Sequence, residues 1–293
     1  MSSLGPAKPP VLELSLSPDL VIGADAAYVL DSIPEGSIDL IYIDPPFNTG
    51  SVQRLSSITA EQDADSARTG FGGRTYRTRL VSSHWYNDSF ADYCGFLVPL
   101  LERSHRLLSK VGSLYLHLDY REVHYVKVEL DKIFGRSNFM NEIIWAYDFG
   151  GRSKRRWPAK HDTILVYAKE LGKHIFNYNE IERIPYMAPG LVTKEKAERG
   201  KLPTDVWWHT IVHTAGAERT GYPTQKPEGI LTRIVEASSN PGSWVLDFFA
   251  GSGTTASVAQ KLGRRFIAAD SNPEAIKIIR NRIDMTNVRE ITC

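Results

Sequence analysis

Cysteine is nearly missing from this 293-residue chain, which has only Cys94 and Cys293. Two cysteines support neither a disulfide framework nor a cysteine-rich zinc site, so no metal is expected, and the pair suits a reducing compartment. Long apolar runs are missing too: nothing approaches the roughly 20 residues of a membrane span. Met1 to Pro10 has none of the apolar stretch of a secretory signal, so a cytoplasmic location is expected. Excess charge of either sign is also lacking, with 35 Lys plus Arg against 34 Asp plus Glu, a formal net charge of +1. That excludes a surface that is basic all over while leaving local patches open. No internal repeat is found, which sets aside solenoids and propellers. The chain does have 42% hydrophobic and 24% charged residues, enough for a sizeable core and against wholesale disorder.

Periodicity predicts alternating strands and helices. Ile38–Ile43 is an almost continuous apolar run with β-branched residues, as expected of a parallel strand covered on both faces. Tyr93, Phe96, Leu97, Leu100, Leu101, Leu107 and Leu108 share a helical face, with Pro99 expected to kink or split the helix. A strand over 111–118, a helix over 123–134 stopped by Gly135, and a strand over 163–167 follow. After 227 come a helix, a strand 244–249, a helix, a strand 265–269 and a last helix 273–284. This alternation predicts an α/β fold, a mostly parallel sheet with helices on both faces. Residues 1–10 read as a flexible lead, and 50–85, poor in large apolar side chains, as a long mobile loop. The polar, proline-interrupted stretch 171–220 reads as an inserted module between halves at 11–170 and 221–293.

Two motifs carry chemistry. In Val245-Leu-Asp247-Phe248-Phe249-Ala-Gly251-Ser-Gly253-Thr254-Thr255, a buried strand runs into a glycine turn that opens a helix. The glycines allow a tight turn and close ligand approach, and the helix N-terminus favours an anionic group. Asp270 ends the next strand, where a carboxylate can take the two hydroxyls of a ribose. A dinucleotide is the rival ligand, but the third glycine of its fingerprint is missing. In Asp44-Pro45-Pro46-Phe47, directly after Ile38–Ile43, the prolines stiffen the backbone and remove N–H donors. Asp44 and the Pro45 carbonyl offer two acceptors, and Phe47 a flat ring. An exocyclic amine on a planar base, taken out of its stack, needs those groups.

Together these motifs resemble those of the S-adenosylmethionine-dependent amino-methyltransferases of DNA, which modify N6 of adenine or N4 of cytosine. Asp44–Phe47 is similar to their catalytic motif and Phe248–Gly253 to their cofactor motif. Their order, catalytic first, resembles the permuted β group. Tyr222-Pro-Thr-Gln-Lys226-Pro resembles that group's TQKP box, and Asp25 its Gly-Asp element, with Ala24 replacing the glycine. The resemblance implies a Rossmann-like methyltransferase fold with a seven-stranded sheet, covering most of the chain. It also implies a cofactor site of Asp247, Phe248, Phe249, Gly251 and Gly253, with Asp270 at the ribose. Asp25 would lie at the adenine, and Thr254, Thr255 and Lys226 near the methionine end. Double-stranded DNA is the implied partner, with a homodimer and a cognate restriction endonuclease as further expectations.

Asp44 favours adenine over cytosine by resemblance, since cytosine members more often carry Ser-Pro-Pro. N4-cytosine methylation, an RNA substrate and a non-catalytic DNA-binding subunit stay open. Cytosine C5 methylation does not, because neither cysteine follows a proline. Two basic clusters suit phosphate neutralisation: Arg68, Arg74, Arg77 and Arg79, and Arg152, Lys154, Arg155, Arg156 and Lys160. Solvated charge is the plainer reading of either cluster alone. Residues 171–220 are the candidate target-recognition module. His209 and His213 have i, i+4 spacing but no glutamate between them, so structural histidines explain them better than a metal does. His117 with Asp119 sits at a strand end, within reach of the pocket or merely packed. Trp207 and Trp208 read as core.

Overall fold

We describe the chain from a computed structural model over residues 11–13, 18–62, 76–150, 152–213 and 216–292, with 51–87 described by backbone alone. The first half runs β1 (Asp19–Gly23), α1 (Ala26–Ser32), β2 (Ile38–Ile43), β3 (Ser51–Gln62), β4 (Tyr76–Asp88), α2 (Tyr93–Leu107), β5 (Leu108–Leu118) and α3 (Val123–Phe134). Then come β6 (Phe139–Ala146), β7 (His161–Ala168), α4 (Lys194–Arg199), β8 (Val206–Trp208) and α5 (Glu228–Ser238). The chain closes with β9 (Trp244–Asp247), α6 (Thr254–Lys261), β10 (Arg265–Asp270), α7 (Pro273–Arg282) and β11 (Val288–Thr292).

Nine of these strands make one sheet in the order β11-β1-β10-β9-β2-β5-β7-β6-β8. It is mostly parallel, and β7 is the exception, running antiparallel to both β5 and β6. The β2 sequence shows why the sheet needs two covers. Ile41 and Ile43 point into a core shared with Leu30, Leu97 and Val126 of α1, α2 and α3. Leu40 and Tyr42, the alternate positions, enter a second core with Ile234, Val258 and Ile279 of α5, α6 and α7. From Leu40 to Ile43 the strand is apolar on both faces and has neither to give to water, so helices pack on both sides.

Helix boundaries follow local chemistry. Asp92 caps α2 by accepting the Gly95 amide at 2.8 Å, and Gly135, at φ 82°, ends α3. Asn272 caps α7, with Pro273 in its first turn. Helix α2 runs on through Pro99, so of the two expected outcomes the split does not occur. Pro99 lies on the exposed face, where the Gly95 carbonyl that loses its donor is open to solvent.

Four other expectations are corrected. The sheet has nine strands rather than seven, and β6, β8 and β11 are among those that periodicity does not reveal. Residues 50–85 are not one long loop: β3 and β4 form an antiparallel hairpin pairing Ser51 with Asp88 and Gln62 with Tyr76. Alternating small and polar residues hide strands whose partner is each other rather than the core. The stretch 171–220 is not wholly outside the periodic core, since β8 extends the main sheet beside β6 through Ile144–Val206 and Trp145–Trp207. Trp207 is buried there, but Trp208 is 77% exposed and is not core. Residues 1–10, Arg68 and Arg74 lie outside the described residues.

The site follows from one adjacency. Strands β2 and β9 are parallel neighbours, with Leu40 beside Val245 and Ile41 beside Leu246, although about 200 residues separate them. From β9 the chain proceeds to β10 on one side, and from β2 the sheet continues to β5 on the other. Where the winding reverses, a crevice opens beyond the strands' carboxyl ends.

Candidate active site

Both motifs meet at that crevice. A cleft of about 560 Å³ is lined by Asp44, Pro45, Pro46 and Phe47 from the end of β2. Phe248, Phe249, Gly251, Thr254 and Thr255 line it from the β9–α6 turn, and Asp25, Asp247, Asp270 and Lys226 complete it. Gly253 is the exception among the expected residues. It stands behind the wall at φ 70°, where a Cβ would come within 2.8 Å of Ile279 Cγ1. This glycine is needed for packing α7 against the turn, not for contact with the cleft. Gly251, at φ 49°, does face the cleft, and a Cβ there would reach 3.1 Å from the Tyr222 ring.

The glycine turn is held by carboxylates. Asp270 accepts the Gly251 amide on Oδ2 at 2.9 Å and the Asn272 amide on Oδ1 at 2.8 Å. Each oxygen keeps a further lone pair for a ligand. Burial raises the Asp270 carboxyl above its usual range, and those two amides oppose the shift. Asp247 lies deeper. It accepts Thr255 Oγ1 at 2.6 Å and the Phe249 amide at 3.1 Å. Burial pushes its carboxyl up to about 7, against those two hydrogen bonds and with help from the charges of Asp44 and Asp270. Asp25 caps α1 through the Ala27 amide at 2.8 Å.

The catalytic-motif end is built differently. Asn48, at φ 55°, turns the chain after Phe47. Its amide donates to Asp88 Oδ1 at 2.8 Å, its Nδ2 to Glu122 at 2.7 Å, and its Oδ1 accepts the Phe90 amide at 2.8 Å. Tyr93 donates to the Pro46 carbonyl at 2.6 Å. Asp44 Oδ2 pairs with the Lys226 ammonium, which also lies 5.2 Å above the Phe47 ring. The motif resemblance puts Lys226 beside the cofactor; in the fold its ammonium sits on the catalytic-motif carboxylate. Asp44 Oδ1 is buried and has no hydrogen-bond partner.

Sequence reasoning misses what lies behind Asp44. His117 is fully buried, with Nδ1 2.9 Å from the Tyr42 hydroxyl and Nε2 3.2 Å from Asp162 Oδ2. Phe47 and Trp145 flank its ring at 5.7 and 5.5 Å between centroids. The strand-end position of His117 is the available signal, but Asp162 is 45 residues away and only the β5–β7 pairing unites them. The expected companion, Asp119, instead pairs with Arg121 and lines a second cleft of about 750 Å³.

That second cleft shares Tyr222, Thr224 and Lys226 with the first and is bordered by Arg152 and Arg156. Arg152, Lys154, Arg155 and Arg156 are exposed, and the Ser153 hydroxyl folds their turn by accepting the Arg155 and Arg156 amides at 3.2 Å each. Lys160 is half-buried and donates to the Gly150 carbonyl at 2.9 Å. Backbone register places Arg77 opposite Glu61 and Arg79 opposite Thr59 on the hairpin. Among the described residues no cluster of three metal-ligating side chains occurs, and His209 packs its ring beside Gly229. No described helix is long and apolar enough to cross a membrane.

Comparison with known proteins agrees with this geometry. A family model described as DNA methylase matches residues 38–281. The chain is 32% identical over 275 residues to DNA adenine methyltransferase YhdJ of Escherichia coli, covering 91% of this chain and 83% of that protein. It is also 32% identical over 264 residues to the type II methyltransferase M.HpaI of Haemophilus parainfluenzae, with 90% and 74% covered. Among solved structures, the cytosine-N4-specific PvuII DNA methyltransferase superposes with a TM-score of 0.63 at 14% identity, covering 93% of this chain and 89% of that one. The M1.HpyAVI–SAM complex superposes at 0.57 and 20% identity, covering 90% and 98%. These last two likenesses establish a shared methyltransferase fold; with the family match over most of its length, the chain belongs to the DNA methylase family.

Proposed function

We propose that this protein transfers a methyl group from S-adenosylmethionine to N6 of an adenine swung out of double-stranded DNA. The observation that carries the reading is the buried, unpartnered Asp44 Oδ1 opening on the same cleft as the Gly251 turn. A buried acceptor left without a donor is costly, and an amine N–H from a ligand would satisfy it.

The cleft fits the methyl donor. Asp270 retains lone pairs for ribose hydroxyls, Asp25 lies at the adjoining edge, and the Gly251 backbone leaves room that a Cβ would fill. Phe249 gives an apolar wall, while Thr254, Thr255 and Lys226 line the polar side. When bound, S-adenosylmethionine supplies an activated methyl on a sulfonium, so the protein's task is positioning and electrostatics.

The chain's own groups then act on the base. Asp44 Oδ1 accepts one N–H of the amine and the Pro45 carbonyl the other, drawing the nitrogen toward tetrahedral geometry. Phe47 stacks on the ring. Pro46, with its carbonyl tied by Tyr93, fixes the turn. Lys226 holds Asp44 Oδ2 and thereby directs Oδ1 at the amine.

Arg152, Lys154, Arg155, Arg156 and Lys160 supply phosphate contacts beside the second cleft, and the hairpin bearing Arg77 and Arg79 contributes further ones. Residues 171–220 form the target-recognition module, anchored to the sheet by β8. A homodimer, a cognate restriction endonuclease and a cytoplasmic location complete the reading; likeness to a type II methyltransferase supports the endonuclease.

The test is incubation with varied DNA and labelled S-adenosylmethionine, digestion to nucleosides and mass spectrometry, with Asp44→Ala alongside. N6-methyladenine that disappears in the variant is expected. N4-methylcytosine would move the reaction to the other base, and absence of cofactor binding would overturn the reading.

A further inference from the structure

The two clefts do not communicate only through solvent. Between them lies a buried imidazole, His117, that faces a carboxylate on each side. Toward the first cleft its Nδ1 is 3.8 Å from Asp44 Oδ1, the oxygen without a hydrogen-bond partner. Toward the second its Nε2 is 3.2 Å from Asp162 Oδ2, and Asp162 Oδ1 accepts the Tyr147 hydroxyl at 3.2 Å. Asp162 and Tyr147 line the second cleft, whereas Asp44 lines only the first.

Burial alone fixes a chain as firmly with leucine as with a charged pair, and an ion pair kept in a core is weak evidence for stability. A histidine placed between an active-site carboxylate and a second carboxylate that reaches water has a more specific use. We propose that the His117–Asp162 pair is the proton exit of the reaction, taking from Asp44 the proton that the amine loses and passing it to the second cleft. This inference rests on the methyl-transfer reading.

Atoms and charges balance at each step. The N6–CH3 bond forms from the amine lone pair as the S–CH3 bond breaks and its electrons stay on sulfur. The nitrogen then carries the ring carbon, the methyl group and two hydrogens, so it is an ammonium and must lose one proton. Asp44 Oδ1 takes it, being already the acceptor of that N–H. The Tyr42 hydroxyl, which donates to Nδ1 at rest, turns away as the carboxyl closes the 3.8 Å gap, so that Nδ1 takes the proton in turn and the resulting imidazolium faces the Asp162 carboxylate. From that pair the proton is lost to water in the second cleft.

The surroundings select the required tautomer. Asp162 is an acceptor, so Nε2 carries the hydrogen and Nδ1 presents a lone pair, which the Tyr42 hydroxyl meets as donor. Burial holds the Tyr42 phenol far above its usual range, so it stays a donor. Burial also works to raise the Asp162 carboxyl, yet the hydrogen bond from His117, the charge of Lys226 and the hydrogen bond from Tyr147 bring it below the usual range. The titratable groups facing this imidazole are therefore Tyr42 and Asp44 from the β2 end and Asp162 from β7, with Tyr147 and Lys226 acting through those carboxylates. Its remaining neighbours, Phe47 and Trp145, are uncharged rings.

The experiment compares the full-length wild type with His117→Gln and Asp162→Asn. Gln keeps a donor toward Asp162 but cannot be protonated. Methyl transfer is followed in single turnovers and in the steady state from about pH 5.5 to 9, in H2O and D2O, spanning the range in which an imidazole changes charge. The wild type is expected to lose turnover on the acid side, because the relay needs an imidazole nitrogen with a lone pair to accept the proton. In His117→Gln the acid limb and the solvent isotope effect should vanish, with turnover lowered roughly tenfold to a hundredfold. In Asp162→Asn the limb should move to lower pH, because the imidazolium has lost its anionic partner. A folded His117→Gln that keeps both limb and isotope effect overturns the relay and leaves His117 a positioning residue.

Nitrogen-15 NMR of the histidine ring gives a readout independent of activity. Nε2–H with an acceptor Nδ1 is expected in the free protein, and the opposite tautomer, or a permanently charged ring, overturns the proposal. If the wild type methylates no nucleic acid while its ring shows the expected tautomer, the failure lies with the methyl-transfer reading.

Discussion

The ends of β2 and β9 lie side by side, and they solve the problem of a sharp turn in opposite ways. After β9 the turn is closed on itself: Asp270 and Asp247 each hold backbone amides, and Gly251 and Gly253 supply the positive φ angles. After β2 the turn is stiffened by two prolines and braced from outside by Asp88, Glu122 and Tyr93. The first arrangement ties both of its carboxylates to the backbone of the turn, leaving Asp270 only spare lone pairs. The second keeps one buried carboxylate oxygen uncommitted. A cradle for a ligand is therefore separable from a group that acts on it, though their atoms share one cleft.

The sharpest way to break that distinction is Asp44→Asn. Substitution keeps the volume but puts an NH2 where an acceptor is required, so methyl transfer should fall roughly a thousandfold. Cofactor affinity, measured by calorimetry, should stay within about threefold of the wild type, since the change removes no group of the glycine turn. A parallel loss of both would show that the two ends are one unit.

Asp247 tests the β9 side through pH. Its carboxyl is pushed to about 7 in the fold, against about 3.9 for an unperturbed aspartate. Between those values the unfolded chain has released the proton and the folded chain retains it, so stability falls as pH rises through the window. The full penalty stands above about pH 7, on the order of 4 kcal/mol. Urea unfolding from about pH 4 to 8 should show this decline in the wild type and lose that part of it in Asp247→Asn. Parallel curves would mean that Asp247 titrates as an ordinary carboxylate.

Gly253→Ala separates the two glycines. A Cβ at φ 70° and 2.8 Å from Ile279 Cγ1 combines a left-handed backbone with overpacking, for a destabilisation of about 2–4 kcal/mol. Gly251→Ala should act more on cofactor affinity, because its Cβ meets the Tyr222 ring at the cleft. Equal thermal shifts, with unchanged affinity in both, would merge the two roles.

What the sequence made legible follows the same division. Leu40–Ile43 and Val245–Leu246 announce themselves because strand residues buried on both faces must be apolar. The motifs at their ends stand out because prolines and glycines are conspicuous. Val288–Thr292 is an edge strand of mixed polarity, and the hairpin pairs with itself, so neither leaves an apolar signature. His117, Asp162 and Tyr42 are invisible as a group for another reason: alternation tells which face a residue takes, but not which distant strand comes alongside. Gly253 reads as a cofactor residue because a motif records that a glycine is needed, not whether a ligand or Ile279 requires it.

The smallest effect concerns the surface rather than the turns, and it separates positioning on DNA from chemistry on the base. Arg152, Arg155 and Arg156 are exposed, and Arg152 and Arg156 border the second cleft, away from the glycine turn. Each phosphate neutralised on duplex DNA contributes about 0.9 to the slope of log affinity against log salt. Replacing all three arginines by alanine should flatten that slope by roughly 2 to 3 and weaken binding about tenfold at moderate salt, equally for all sequences. Fluorescence anisotropy across a salt series measures the slope directly. Saturated with DNA, the variant should methylate at close to the wild-type rate, because none of the three side chains lines the cleft that holds Asp44. An unchanged slope would return the cluster to plain solvated charge. A slower rate at saturating DNA would mean that the arginines also bring the base to Asp44.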